Sequence, residues 1–413
     1  MEHNLNNIKG INITVDLAQG AKGFVVIDST YANSSVGGLR IAEDISLEEV
    51  WILAREMTLK YSFIGLQRGG AKAGLKIPKG CTAEQKQNLL FQFGQCMSPL
   101  IRKGVFYPWM DINCNQLDLK SVYKGAGLIS SPSTESSYYT AISTHASLEA
   151  CRDFLGFPER PMRLAIEGFG GVANWLIKRL PTDKYIVTAI STIKGALKNE
   201  HGFDPQELAE KKRLFGDDLV AHMEGDVVQP HEVLTTDVDI LLPSARVWTI
   251  SEKIATNVRA GFVVPIANAP YGQGALKIME QKNIVCLPGF VVNSGGVFGS
   301  TLHDDGVPAP KIEDVTMISF KAIVKALLVA WRDSAAPSSL LAEQIALERL
   351  RQRADPYGNK SPYLWSAHSL IHNYLVPKPI SWRGSLNRFT ANLAEIEQLV
   401  SQKGLDWANL ERV

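Results

Sequence analysis

Apolar residues recur at helical spacing from Asp44 onward. In DISLEEVWILAREMTLK, Val50, Leu53, Ala54 and Met57 share one face, behind an S-x-x-E signature at Ser46 and Glu49. The pattern predicts a helix that starts at Ser46, buries one stripe and ends near Lys60. Upstream, INITVDL and GFVVIDST are short β-branched runs that read as strands. Downstream of the helix, LQRGGAKAGL reads as a glycine turn that carries Lys72 inside an otherwise apolar segment. From about residue 160 to 300, RLAIEG, YIVTAIS, VDILLPS, FVVPIAN and NIVCLPG alternate with helical stretches. Such alternation predicts a parallel sheet with helical crossovers. After the polar, proline-bearing HDDGVPAPKIED, the segments ISFKAIVKALLVAWRD and SSLLAEQIALERLRQRA are amphipathic at a helical period.

Length and charge narrow the function classes. The 413 residues are enough for two domains, and the net charge of +1 gives no support for a nucleic-acid or anionic-membrane partner. No apolar run reaches the roughly 18 residues that a membrane helix needs, and MEHNLNNIKG lacks the features of a signal peptide. Five scattered cysteines without a C-x-x-C pair point to reduced thiols and a cytoplasmic setting. The eight histidines include one H-x-x-x-H spacing, His368 and His372, but no H-E-x-x-H motif, so no metal site is expected.

The strongest local chemistry is RLAIEGFGGVA, residues 163–173. A strand ends, a G-x-G-x-x-A turn follows, and NWLIKRL opens as a helix. Gly168 permits the turn, Gly170 lets the backbone approach a pyrophosphate, and Ala173 lets the helix pack close to the strand. The free N–H groups at the helix start then face the phosphates. An NAD-binding unit usually carries a carboxylate at the end of the second strand, for the ribose 2′-hydroxyl. YIVTAISTIKGALK has none; it offers Ser191, Thr192 and Lys194, which favour the 2′-phosphate of NADP, although the two hydroxyls also accommodate NAD.

A second feature is the pair Lys60 and Lys72. A lysine at a helix end is ordinarily a solvated charge facing the helix dipole. Lys72, flanked by small residues, is open to close approach, and a lysine desolvated beside another cation loses basicity and becomes an acid–base group near neutral pH.

Taken in order, V-G-G-L-R (36–40), M-T-L-K (57–60), G-G-A-K-A-G (69–74), W-M-D (109–111), G-F-G-G-V-A (168–173), D-I-L-L-P-S-A (239–245), A-N-A-P (267–270) and N-S-G-G-V (293–297) resemble the glutamate/leucine/phenylalanine/valine dehydrogenase family over residues 30–305. The resemblance implies NAD(P)-dependent interconversion of an amino acid with a 2-oxo acid and ammonia. By that likeness Lys60 would hold the substrate α-carboxylate, Lys72 would polarise the carbonyl or activate water, and Asp111 would exchange a proton with the nitrogen. Gly37 and Gly38 would line the substrate through their backbone, and Val36, Val297 and Ser300 would shape its side-chain pocket. The dinucleotide would meet Gly168, Phe169, Gly170, Gly171 and Val172 at the turn. It would further meet Ser191, Thr192 and Ala245, with Asn268, Asn293 and Thr140 toward the nicotinamide end.

The resemblance carries departures. Glutamate-specific members have a lysine where this chain has Val36; valine cannot compensate a buried carboxylate, which argues for a non-acidic substrate. Trp109 and Asn113 surround Asp111 where relatives have small residues and a glycine. Ile142 and Thr144 replace glycines after Thr140, and Gly289 replaces an aspartate. The expected fold is a two-domain α/β protein. An N-terminal α/β substrate domain (1–140) is completed by C-terminal helices (310–413), and a Rossmann-type dinucleotide-binding domain spans 141–309. The substrate would lie in the cleft between them. By resemblance the protein is a homo-oligomer acting on a small amino acid or 2-oxo acid. The alternatives are a biosynthetic reductase for a modified 2-oxo acid and a non-catalytic nucleotide-binding regulatory subunit.

Overall fold

The computed structural model describes residues 10–129, 136–334, 337–354 and 382–405. Residues 1–9 and parts of the expected helical tail, 355–381 and 406–413, lie outside the described residues. The chain divides into two compact units, one built from 10–129 and 346–354, the other from 136–345 and 382–405 among those residues. The boundary therefore falls near residue 135. The helical segment up to residue 345 and the helix Trp382–Leu405 belong with the second unit, whereas the sequence reading assigned all of 310–413 to the first. An amphipathic stripe shows that a helix packs, but not against what.

The N-terminal unit holds a five-stranded mixed sheet. Its strands are β1 (Ile11–Asp16), β2 (Lys22–Ile27), β3 (Ser35–Ala42), β4 (Gly69–Lys76) and β5 (Phe106–Met110), in the order β1-β2-β4-β3-β5. β3 runs parallel to both β4 and β5, while β1 and β2 are antiparallel additions at one side. The expected glycine turn around Lys72 is thus a central strand. Glycine is a poor strand former, and its presence here marks close backbone approach. Helix α1 (Leu47–Phe63) lies on that face: a Cβ at Gly70 would stand 2.2 Å from the amide nitrogen of Thr58, and one at Gly74 would stand 2.6 Å from Val50. On the opposite face, α2 (Ala83–Arg102) and α3 (Gln116–Gly125) cover Val25, Ile27, Leu39, Ile41, Ala71, Ala73 and Leu75. Alternation along β3 and β4 separates the two faces: odd positions fill the core, even positions carry Arg40 and Lys72 toward α1.

Ser46 caps α1 by accepting the amide of Glu49 at 3.2 Å, while the Glu49 carboxylate goes to Arg40. The predicted single stripe holds only for the first turns. From Met57 through Phe63 every residue of α1 is buried, Lys60 included.

The second unit carries a seven-stranded sheet. Five parallel strands, β6 (Met162–Glu167), β7 (Tyr185–Thr192), β10 (Ile240–Pro243), β11 (Phe262–Val263) and β12 (Val285–Cys286), are those read from the sequence. A short antiparallel extension, β8 (Gly195–Lys198) and β9 (Asp226–Val228), continues beyond β7 and was not anticipated. The order β12-β11-β10-β6-β7-β8-β9 reverses direction of travel between β6 and β10. That reversal creates the switch point at the carboxyl ends of the strands where doubly wound folds bind ligands. Helix α4 (Ser137–Phe154) leads into β6, and α5 (Gly171–Ile177) follows the glycine turn. α11 (Ala309–Ser334) packs along α4 and against the helix Trp382–Leu405. All five cysteines are free thiols, and no described helix is long and apolar enough to cross a membrane.

Candidate active site

In the N-terminal unit the α1-facing side of the sheet gathers Lys72, Asp111, Arg40 and Glu49. Lys72 Nζ stands 3.0 Å from Asp111 Oδ1. Arg40 Nε donates to Asp111 Oδ2 at 2.8 Å, and Arg40 Nη1 donates to Glu49 Oε1 at 2.7 Å. Asp111 follows β5 immediately, and its loop is tied to the end of β3. The Ile41 amide donates to the Ile112 carbonyl at 3.1 Å, and Asn113 Nδ2 donates to the Ile41 carbonyl at 3.0 Å. Asn113 adopts φ +59°, the left-handed region that asparagine tolerates better than most side chains. The departure from glycine at this position therefore preserves the turn and adds an anchor.

Burial sets the electrostatics. It pushes Lys72 below the usual lysine range, with Arg40 adding to the push and Asp111 opposing it. Lys60, also buried, is pushed down to about 8, mainly by desolvation; Glu56 opposes this and Lys72 adds to it. Burial works against the charged form of Asp111, yet the Lys72 and Arg40 cations outweigh it and hold the carboxyl well below the usual carboxylate range. The cluster therefore favours Asp111 as an anion at rest and contains two lysines poised to lose a proton more easily than usual.

The glycines beside it are spacers. A Cβ on Gly37 would fall 1.7 Å from the carbonyl oxygen of Ala71, and one on Gly38 would fall 2.7 Å from Asp111 Cβ. Gly38 thus leaves the room that the Asp111 side chain uses. Val36, buried, sits two positions before Gly38 on the same face.

In the second unit, Gly168 adopts φ +90°, and a Cβ there would come within 2.7 Å of the Ala245 nitrogen. Gly170 has open space where a Cβ would stand, which is the room a pyrophosphate requires. A buried acceptor without a hydrogen-bond partner among the described residues lies four residues on, at Asn174 Oδ1 on α5, and a second is Asn293 Oδ1, at the end of the short helix Gly289–Val292. The open cradle and these orphaned atoms fit a bound dinucleotide. Asn293 Nδ2 donates to Asn268 Oδ1 at 3.0 Å and to the Ile266 carbonyl at 3.1 Å, so two of the candidate cofactor residues are held together. Gly289 packs tightly; a Cβ would be 2.8 Å from the Ala267 carbonyl oxygen.

Other candidates are engaged elsewhere. Phe169 is buried and its amide donates to the Ser191 carbonyl at 2.7 Å, so it offers no side chain to a ligand. Ser191 Oγ accepts the Gly168 amide, and Thr192 Oγ1 donates to the Asp217 carbonyl at 2.7 Å. Thr140 Oγ1 donates to the Ser136 carbonyl at 3.0 Å and abuts Gly296, a contact between α4 and α10 (Gly295–Asp304). Ser300 lies within α10 and not at its start; it is buried, with a hydroxyl that has no partner among the described residues. Val297, one turn earlier, is half-buried, and Gly171 and Val172 open α5.

Sequence reasoning missed Arg40 and Glu167. Arg40 stands in the quoted V-G-G-L-R motif, and its signal is an arginine inside a strand that has glycines before it. Glu167 ends β6 next to Gly168, buried, accepting the amides of Ser244 and Ala245 at 3.3 Å each. Desolvation pushes it up to about 7, against the pull of those two amides.

An NADP-specific glutamate dehydrogenase of Saccharolobus shibatae is 30% identical over 281 residues, 64% of this chain and 66% of its own. The catabolic NAD-specific glutamate dehydrogenase of Bacillus subtilis is 28% identical over 277 residues, 63% of this chain and 65% of its own. The chain thus spans about two thirds of the length of these curated relatives, which include both cofactor specificities. The crystal structure of a hetero-hexameric glutamate dehydrogenase from Thermus thermophilus, in its leucine-bound form, superposes with a TM-score of 0.70. It covers 86% of this chain and 90% of that one at 20% identity, a likeness of fold. Residues 6–125 match the Glu/Leu/Phe/Val dehydrogenase dimerisation domain and residues 136–304 match the Glutamate/Leucine/Phenylalanine/Valine dehydrogenase model. On both matches, in the order and spacing found here, the chain belongs to the Glu/Leu/Phe/Val dehydrogenase family.

Proposed function

We propose that this chain interconverts a non-acidic L-amino acid and its 2-oxo acid plus ammonia, with NAD(P) as the hydride acceptor or donor. The observation that carries the reading is the buried Lys72–Asp111 pair at 3.0 Å on the glycine-walled face of β3 and β4. Bound NAD(P) supplies the hydride exchange with the substrate Cα. Lys60 holds the α-carboxylate as a point charge; a buried ammonium facing an anion recovers the charge that burial disfavours. Lys72 passes a proton between itself and the attacking water, for which a depressed lysine is suited near neutral pH. Asp111 takes a proton from the amino group in deamination and returns it to the leaving nitrogen. Overall, amino acid, water and oxidised cofactor give 2-oxo acid, ammonium ion, reduced cofactor and one proton.

Val36 supports the non-acidic substrate, because an apolar residue offers nothing to a second carboxylate. Ser300, whose buried hydroxyl has no partner among the described residues, supports a polar feature in the side-chain pocket. NADP is favoured by Lys194, exposed at the β7–β8 turn. A homo-oligomer is favoured by the family name of residues 6–125, and the free thiols favour a reducing compartment.

The test is oxidation of NADPH and NADH with ammonia across 2-oxo acids from pyruvate to branched and aromatic ones. Turnover is expected with non-acidic members and lost in Lys72→Ala, with nucleotide binding intact. Turnover that survives Lys72→Ala would overturn the lysine's role. Nucleotide binding without turnover on any member would overturn the reading as an amino-acid dehydrogenase.

A further inference from the structure

Arg40 sits on β3, two residues beyond Gly38, and is 4% exposed. Its guanidinium spends two different edges on two different carboxylates, Nε on Asp111 and Nη1 on Glu49. Glu49 comes from the first turn of α1 and is itself buried. Lys72 takes the remaining oxygen of Asp111. The result is a row of alternating charge, Glu49, Arg40, Asp111, Lys72, whose side chains are 9%, 5%, 17% and 2% exposed. Exposure peaks at Asp111, so the deep end of the row leads to the group most open to a ligand. A pair that served stability alone would be complete with Arg40 and Glu49; the additional Nε contact fixes the orientation of Asp111.

We infer that Arg40 is a positioning residue for the proton-exchanging carboxylate: it clamps Asp111 Oδ2, turns Oδ1 toward Lys72, and is itself held at the far edge by Glu49. This rests on the proposed role of Asp111. A planar guanidinium fork can satisfy both carboxylates at once, which an ammonium cannot. The clamp also keeps Asp111 charged between turnovers. The other charged or titratable groups around it are Lys72 from β4, Lys60, Glu49 and Glu56 from α1, and Cys114 and Asp118 after β5. Of these, Lys72 is the cation in contact with Asp111, so removing Arg40 leaves the carboxylate with one direct cationic partner in place of two.

Three variants test the clamp: Arg40→Lys, Glu49→Gln and the double Arg40→Gln/Glu49→Gln, which leaves no buried charge orphaned by the change. Thermal melting and nucleotide binding report whether each is folded. Arg40→Lys is expected to lower kcat about 10- to 100-fold with KM little changed, as misplacement of a reacting group does. The double variant is expected to move the acidic limb of kcat/KM upward by about one pH unit or more, because loss of a neighbouring cation raises a carboxyl pKa. Glu49→Gln keeps the Arg40 cation beside Asp111 and is expected to leave that limb in place. A folded Arg40→Lys with unchanged kcat, or a folded double variant with an unmoved limb, overturns the inference. The carboxyl carbon-13 resonance of Asp111, assigned by its loss in Asp111→Asn, gives a readout free of turnover. If the native chain turned over nothing, the functional reading would fall, and the titration of that resonance in native and double-variant chains would still decide the clamp.

Discussion

Ser191 Oγ accepts the backbone N–H of Gly168 at 3.1 Å, and the Ser191 carbonyl accepts that of Phe169 at 2.7 Å. The glycine turn after β6 is therefore latched to the end of β7 by the residue whose hydroxyl the sequence offered to a cofactor phosphate. Thr192 is likewise engaged, donating to the Asp217 carbonyl and accepting from the Lys194 amide at 3.1 Å. What the end of β7 presents to solvent is Ile193 and Lys194.

Cofactor preference should follow Lys194 and not the two hydroxyls. Lys194→Ala is expected to weaken NADPH binding about tenfold or more, the worth of one charge-assisted contact, and to leave NADH unchanged. Ser191→Ala should weaken both cofactors alike, since it loosens the turn they share. Fluorescence titration with each reduced cofactor decides the matter. Equal losses for NADPH and NADH in Lys194→Ala would remove the basis for an NADP preference.

The adjacent glycines Gly37 and Gly38 should fail in different ways. Alanine at 37 drives its Cβ to 1.7 Å from a backbone oxygen of β4, which only a shift of the strand could relieve. Overpacking costs about 1–3 kcal/mol or more, and backbone is slower to yield than a side chain. Alanine at 38 meets the Asp111 side chain first, at 2.7 Å. Gly37→Ala is expected to give little folded protein. Gly38→Ala should melt within a few degrees of the native chain, on the order of a 1 kcal/mol change, while turnover falls about 100-fold. A fully active Gly38→Ala would show that the position of Asp111 does not matter to the reaction.

The contrast between those glycines also shows what a sequence can reveal. The five parallel strands of the second unit were legible because each is an apolar run bounded by turn residues, and the dinucleotide turn because its spacing sits between a strand and a helix. Lys60, Lys72 and Asp111 were legible through family motifs, and the structure brings Lys72 and Asp111 into contact. Gly69–Lys76 was read as a turn because glycine argues against a strand; only the nearness of α1 to Gly70 and Gly74 explains why a strand there must lack side chains. Arg40 stands in a quoted motif, but its role was not legible because its partners lie nine and seventy-one residues away. The latch that Ser191 makes on the Gly168 amide was not legible because a sequence does not say which way a hydroxyl points. The antiparallel strands β8 and β9, of four and three residues, are too short for alternation to register.

Glu167 gives the last prediction, and its sign can be worked out in advance. The carboxyl is buried at the end of β6, and its polar partners among the described residues are the amides of Ser244 and Ala245. Its folded pKa, about 7, lies above the ordinary 4.5, so the folded chain holds this proton more tightly than the unfolded chain does. Stability from this group is therefore complete below about pH 4.5 and is lost as pH rises through 7. At 1.36 kcal/mol per pH unit the loss is on the order of 3 kcal/mol. Glu167→Gln keeps the shape and cannot ionise. It should match the native chain near pH 4.5 and exceed it in denaturant unfolding at pH 8 by about that amount. Because the same carboxylate stands next to Gly168, charge on it opposes a bound diphosphate. Glu167→Gln should therefore also hold NADPH more tightly at pH 8 than the native chain, with the advantage gone at pH 5.5. A stability difference that did not change between pH 4.5 and 8 would mean that Glu167 ionises at its ordinary value and that its burial imposes no charge penalty.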